Sequence, residues 1–151
     1  MKVFLDIDGV MVHANPYRKV DMEDDGFYRF KSEAVSAINT IENAEIILST
    51  SHRRRYSLMQ WKRLFKRRGV NFSKISIIDS DFSTHVSRKE EIEAWIETHH
   101  LDYNDLIIID DDKSLYNLKS PLKERVVLTE PYVGLNDAAG IYKVLQTTKY
   151  E

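Results

Sequence analysis

The chain has 151 residues, of which 42% are hydrophobic and 30% are charged, with a formal net charge of −2 at pH 7. This length suits one domain over residues 1–151, and the composition excludes a membrane-spanning or a disordered chain. The lack of cysteine excludes disulfide and thiolate chemistry, and the charge gives no overall indication of nucleic-acid binding. Asp6 and Asp8 interrupt the apolar start of the chain, unlike a signal-peptide core. We therefore expect a cytoplasmic protein with no membrane partner.

Strand-like and helix-like patterns alternate along the chain. Short runs rich in Val, Ile and Leu predict buried parallel strands at residues 2–7, 45–49, 74–79, 106–109 and 125–129. Apolar residues at helical spacing predict a helix at 32–42 and a second over 58–65, which ends before Gly69. Ser87 and Glu90 form a capping-box signature for a third helix, and a fourth starts near Asn136. The alternation predicts a doubly wound α/β fold.

Residues 11–31, called the flap segment below, lie between the first strand and the first helix. The turn-forming pairs Asn15-Pro16 and Asp25-Gly26 and several aromatic residues occur in this segment. We therefore expect a flap with turns there rather than a separate domain.

Two of the predicted strands end in carboxylates. The first is followed by Asp6-Ile7-Asp8-Gly9, and the fourth by Asp110-Asp111-Asp112. Ligands of α/β proteins bind outside the carboxyl ends of the strands, and alternate strand residues share a side, so Asp6 and Asp8 should share a pocket. Crowded carboxylates resist shared ionisation and need a counter-charge. Oxygen ligands without His or Cys favour Mg²⁺.

These motifs resemble those of the haloacid dehalogenase (HAD) superfamily of phosphatases and phosphotransferases. The strand followed by DxDG matches the first motif of the family, and Ser49 or Thr50 matches the second. Arg88 or Lys89 matches the third motif, and the acidic pair at 110–111 matches the fourth. The four occur in family order over residues 3–111. The resemblance implies strand order 5-4-1-2-3 with helices on both faces. The chain has no room for the cap domain of larger members. Capless members act on macromolecular phosphates, or on small ones with a partner subunit as lid.

The resemblance also implies a Mg²⁺-dependent phosphatase that forms an aspartyl-phosphate intermediate. It assigns the nucleophile to Asp6, while Asp8 protonates the leaving group and later activates water. The Mg²⁺ ligands are then Asp6, the backbone carbonyl of Asp8, and Asp111. Asp110 is the orienting neighbour, although it could exchange roles with Asp111.

Four further residues are expected to contact the phosphoryl group. Ser49 hydrogen-bonds a phosphoryl oxygen, with Thr50 as the alternative if the strand ends one residue later. Lys89 fits the usual residue type of the third motif, with Arg88 as the alternative. Spacing alone does not decide whether Lys89 or Arg88 faces the phosphoryl group, because this depends on the rotation of the helix about its axis.

Residues 53–68 are rich in Arg and Lys, which would steer anionic substrates. We expect Arg53 and Arg54 to contact substrate at the pocket mouth, and residues 62–68 to form a solvated helix face. Because arginine forks suit phosphates, one alternative is a nucleic-acid end-processing phosphatase that uses this segment. Another is a non-catalytic phosphate-sensing or scaffold domain, against which the intact Asp6 and Asp8 argue.

The five histidines of the chain lack the spacing of a metal site. They are His13, His52, His85 and the pair His99 and His100. We expect each of them at the surface or in a turn rather than as a ligand.

Overall fold

The computed structural model of the protein describes residues 1–79 and 87–149. None of the helices within these ranges is long and apolar enough to cross a membrane. The strands are β1 (Lys2–Leu5), β2 (Glu45–Leu48), β3 (Lys74–Ile77), β4 (Leu106–Asp110) and β5 (Val126–Leu128). The helices are α1 (Ser32–Ile38), α2 (Leu58–Arg67), α3 (Arg88–Thr98) and α4 (Ala139–Lys149).

The five strands form one parallel sheet in the order β3-β2-β1-β4-β5. This is the order 5-4-1-2-3 read from the other edge, so the predicted fold is confirmed. β1 lies at the centre, where Leu5 pairs with Leu48 of β2 and with Ile109 of β4. The residues that follow these three positions therefore emerge side by side at the carboxyl edge of the sheet.

Helices cover both faces of the sheet because successive strand residues point to opposite sides. Val3 and Leu5 belong to a hydrophobic cluster shared with α1, α2 and α4. Phe4 belongs to a second cluster, which contains Ile92 and Ile96 of α3. These central strand residues are fully buried, which explains the unbroken apolar runs in the sequence.

Two predicted helix boundaries differ from the structure. Helix α1 ends at Ile38 instead of residue 42, because the Thr40 hydroxyl donates to the carbonyl of Ala37 at 2.6 Å and so competes with the helical pattern. Helix α4 begins at Ala139, where Asp137 accepts a hydrogen bond from the Ala139 amide at 2.9 Å.

The flap segment is joined to the core by its aromatic residues and by an arginine at the end of α2. Phe27 and Phe30 are buried in the first cluster. Arg68, whose side chain is 2% exposed, donates to both carboxylate oxygens of Asp25 at 2.7 and 2.8 Å and to the carbonyl of Tyr28 at 2.6 Å. Arg68 is therefore not part of a solvated helix face, because it holds the flap segment against α2.

Candidate active site

The carboxyl ends of β1 and β4 bring three carboxylates together. Asp6 follows β1, Asp110 ends β4, and Asp111 follows it. One oxygen from each lies within 4.8 Å of the other two. Asp6 is 5% exposed and Asp110 is fully buried, so these charges lie outside bulk water. This carboxylate cluster stands where the sequence predicts the ligand pocket.

Arg88 supplies a positive charge to the cluster. Ser87 caps α3 by accepting from the Glu90 amide, which makes Arg88 the first helical residue. The Arg88 Nη1 lies 2.6 Å from Asp110 Oδ2 and 3.6 Å from Asp6 Oδ1.

We predicted Lys89 for this position, with Arg88 as the alternative, and the structure places Arg88 there. The backbone amide of Lys89 instead donates to the Ser114 hydroxyl at 3.2 Å. Neighbouring residues on a helix differ by about 100° in direction, so only one of the two can face the carboxylates.

The cluster carries more negative than positive charge. Burial raises the pKa of Asp6 to about 6 and that of Asp110 to about 7, and it also raises the pKa of Asp111. Burial acts to lower the pKa of Arg88, but Asp110 and Asp6 outweigh it, so this guanidinium stays charged. Three carboxylates facing one guanidinium favour the binding of a further cation.

The donor set fits Mg²⁺, which prefers carboxylate oxygens. Asp110 is hydrogen-bonded at both oxygens, since Oδ1 accepts from the amides of Asp111 and Asp112 at 2.8 and 3.1 Å, and Oδ2 accepts from Arg88. This arrangement suits the orienting role. A Cβ added to Gly9, where φ is +79°, would lie 2.0 Å from Asp111 Oδ2. The missing side chain of Gly9 thus leaves room for the Asp111 carboxylate beside the DxDG loop.

Ser49 and Thr50 differ in what their hydroxyls do. Ser49 is fully buried, and its Oγ has no hydrogen-bond partner among the described residues. Thr50 Oγ1 instead accepts from the His52 amide at 3.2 Å and caps the short turn Ser51–Arg54. Buried hydroxyls are rarely left unpaired, so of the two hydroxyls that of Ser49 is the one still available to a ligand, and its contact with a phosphoryl oxygen stays a prediction.

Asp8 lies outside the carboxylate cluster and contacts a histidine. β1 ends at Leu5, so the two-residue period of a strand does not extend to Asp8. Asp8 Oδ2 lies 2.6 Å from His52 Nε2. We expected His52 at the surface or in a turn, and sequence reasoning missed this contact. The available signal was its position three residues after Ser49, in the loop that leaves the strand next to β1. His85 lies outside the described residues.

A comparison with family models matches residues 2–139 to the family described as "HAD domain in Swiss Army Knife RNA repair proteins". The chain belongs to this HAD family. The predicted superfamily is confirmed, and membership supports a hydrolase of the phosphatase type in general. No curated protein and no solved structure matches the chain.

The two arginines expected at the pocket mouth of this HAD domain have different surroundings. Arg53 is buried and pairs with Glu91 of α3 at 2.5 Å, while its Nη1 donates to the carbonyl of Thr50 at 3.1 Å. In contrast to the expected substrate contact, Arg53 links the turn after β2 to α3. Arg54 is half exposed and lies 3.3 Å from Asp79, beyond the end of β3. Substrate contact by Arg54 stays a prediction.

Proposed function

We propose that this chain is a Mg²⁺-dependent phosphomonoesterase that forms an aspartyl-phosphate on Asp6. The observation that carries the proposal is the buried cluster of Asp6, Asp110 and Asp111 at adjacent strand ends, compensated by Arg88 alone among the described residues. Such a cluster destabilises the fold unless a cation binds to it. The unpartnered Ser49 hydroxyl beside it supplies a donor for a phosphoryl oxygen.

The reaction takes two steps. A carboxylate oxygen of Asp6 attacks phosphorus, the bond to the leaving oxygen breaks, and Asp8 gives that oxygen a proton. Water then attacks the phosphorus of the aspartyl-phosphate and passes a proton to Asp8, which releases phosphate and restores Asp6. Asp6, Asp111 and the backbone carbonyl of Asp8 would hold Mg²⁺, which would neutralise negative charge on the phosphoryl oxygens. Arg88 keeps Asp6 and Asp110 oriented, and Ser49 positions the phosphoryl group.

The test is hydrolysis of an aryl phosphate with Mg²⁺ by the wild type and by Asp6→Asn. We expect turnover by the wild type, its loss with a chelator, and almost complete loss in Asp6→Asn, which removes the nucleophile. Folding of the variant is checked by circular dichroism. Metal-independent turnover, or wild-type rates in Asp6→Asn without deamidation, would contradict the proposal. Phosphate binding without any turnover would favour the scaffold alternative instead.

We further infer that the phosphomonoester lies at an end of an RNA strand. The family description names RNA repair proteins. A cavity of about 480 Å³ is formed by the flap segment and the loop after β5. Its wall includes Val12, which pairs with Asp8 and accepts a hydrogen bond from the Gly9 amide at 2.9 Å. The cavity thus adjoins the loop that carries the proposed acid.

The charge and the aromatic lining of this cavity suit a single strand. More cationic than anionic residues line the cavity. The four cationic residues are Arg18, Lys19, Arg29 and Lys31, and the two anionic residues are Asp21 and Glu33. Tyr132 also lines the cavity and is half exposed, so its ring can stack on a base. Arg29 and Lys31 already bond Glu23 and the Val133 carbonyl. Arg18 and Lys19, which are exposed, are the residues to test.

Binding of an end-phosphorylated oligoribonucleotide by Asp6→Asn, measured against salt, tests this inference. Replacing Arg18 and Lys19 with Ala should weaken binding and flatten the salt slope by about 0.7 for each phosphate that is no longer neutralised. The same two substitutions, made in the protein that keeps Asp6, should leave hydrolysis of the aryl phosphate unchanged. The matched control replaces Arg63 and Lys66, exposed cations of α2. An equal salt slope for the two double variants would refute the placement of the RNA strand in this cavity.

A further inference from the structure

His52 forms the contact that orients the Asp8 side chain. The His52 Nε2 to Asp8 Oδ2 distance is 2.6 Å, which is short for a hydrogen bond between these atom types. Asp8 is 39% exposed and His52 is 20% exposed, so water alone would leave this carboxyl group free to rotate.

The His52 ring is itself held in place from two sides. The Phe27 and Tyr28 rings contact it edge-to-face, with centroids 5.7 and 5.6 Å away and interplanar angles of 85° and 84°. Its backbone amide donates to Thr50 Oγ1 at 3.2 Å. The flap segment and the turn after β2 therefore fix the ring before any substrate binds.

We infer that His52 is a positioning residue for Asp8, which rests on the acid and base role proposed for Asp8. The Nε2–H group donates to Oδ2 of Asp8, which leaves Oδ1 to carry the transferred proton toward the leaving oxygen. His52 touches neither the phosphoryl group nor the carboxylate cluster in this role. It restricts the rotation of a half-exposed carboxyl group, which is the geometric requirement for proton transfer.

The role predicts a dependence on the leaving group. An alkoxide leaves poorly without a proton, whereas dinitrophenolate leaves without one. In His52→Ala, kcat/KM for a ribonucleoside monophosphate should fall about tenfold to a hundredfold, which is less than the roughly 10²–10⁴-fold contribution of a general acid because Asp8 itself is still present. For dinitrophenyl phosphate, kcat/KM should fall by less than about threefold. The ratio kcat/KM is used because kcat also includes hydrolysis of the aspartyl-phosphate, where Asp8 acts again.

His52→Gln is the conservative variant, since its side-chain amide nitrogen can reach the position of Nε2 and should restore part of the activity. It also keeps the test possible if His52→Ala fails to fold. His99→Ala is the matched control, because this exposed ring stacks on Trp95 away from the cluster. We expect no change in either activity for the control.

A double-mutant cycle separates this inference from the proposed function. Asp8→Asn should show the same selective loss, and adding His52→Ala to it should cost nothing more, because both act through one proton transfer. An equal loss on both substrates, a further loss in the double variant, or no rescue by His52→Gln would overturn the positioning role. If Asp8→Asn itself shows no selective loss, the proposed acid and base role fails first.

Discussion

Removing Arg88 should destabilise the metal-free protein by an amount that grows with pH. The Arg88 side chain is 12% exposed and lies 2.6 Å from Asp110, which is fully buried. Removing one partner of such a pair leaves a buried charge uncompensated, which costs about 3–5 kcal/mol. We therefore expect Arg88→Ala to lower the free energy of unfolding by about 3 kcal/mol at about pH 7.5 without Mg²⁺.

The sign of the pH dependence follows from the raised pKa values. Asp6 has a pKa of about 6 and Asp110 of about 7, both above their values in the unfolded chain. A carboxyl group with a raised pKa gives its full contribution to stability below its unfolded pKa and loses it as pH rises through its folded pKa. Without Mg²⁺, the wild type should therefore lose stability between about pH 4 and pH 7.

Arg88 opposes this loss because it lowers the pKa of both carboxyl groups. In Arg88→Ala the two pKa values rise further, so the loss of stability with pH is larger than in the wild type. At about pH 5 both carboxyl groups are mostly protonated in the folded state. The difference between the proteins should then shrink to about 1 kcal/mol, the contribution of a single hydrogen bond.

Urea unfolding with a chelator at about pH 5 and at about pH 7.5 measures this difference. The matched control is Arg63→Ala, an exposed arginine of α2, which should stay within about 0.5 kcal/mol of the wild type at both values. A destabilisation that is equal at the two pH values, or no larger than that of the control, would refute the electrostatic reasoning.

Three further predictions concern the metal, the DxDG loop and the flap segment. Mg²⁺ at a hundred times its dissociation constant should stabilise the wild type by about 2.7 kcal/mol, and Asp111→Ala should abolish most of the accompanying rise in Tm; an equal rise in both proteins would contradict the ligand role. Gly9→Ala should reduce turnover strongly, because the added Cβ would overlap Asp111 Oδ2. A fully active variant would exclude the close approach of the Asp111 carboxylate to Gly9. The Arg68 hydrogen bond lowers the pKa of Asp25 to about 2. The ionised Asp25 therefore stabilises the folded protein above the unfolded pKa of about 4, and this stabilisation is lost as pH falls through the folded pKa. Asp25→Asn should therefore cost about 1 kcal/mol at neutral pH, allowing for solvent screening, and this cost should shrink as pH falls towards about 2. Urea unfolding that shows a pH-independent difference would argue otherwise.

Local patterns predicted the sheet, because its strands are apolar runs buried on both faces. The motifs then located Asp6, Asp110 and Asp111 at neighbouring strand ends through the strand order that the family resemblance implies. What the sequence left open is the rotation of α3, since Arg88 and Lys89 fit the same spacing. That choice depends on how Ile92 and Ile96 pack against the sheet, which no spacing within the motif records.

The basic residues show why composition could not assign their roles. Arg53 pairs with Glu91, 38 positions away in the sequence, and Arg68 pairs with Asp25, 43 positions away. Helical periodicity reports which face a residue occupies but not which distant carboxylate meets it. Both arginines therefore looked like ligands or solvated charge in the sequence, whereas the fold uses them to join its own elements.

This internal use of arginines bears on how the proposed acid is positioned. Arg68 fixes Asp25 and the Tyr28 carbonyl, and the flap segment that it holds supplies the Phe27 and Tyr28 rings against His52. His52 in turn contacts Asp8. The chain of contacts connects the end of α2 to Asp8 without crossing the carboxylate cluster. The flap segment therefore packs against the ring that contacts Asp8, and it also lines the cavity that contains Arg18 and Lys19, so both proposed contributions to the site come from this segment.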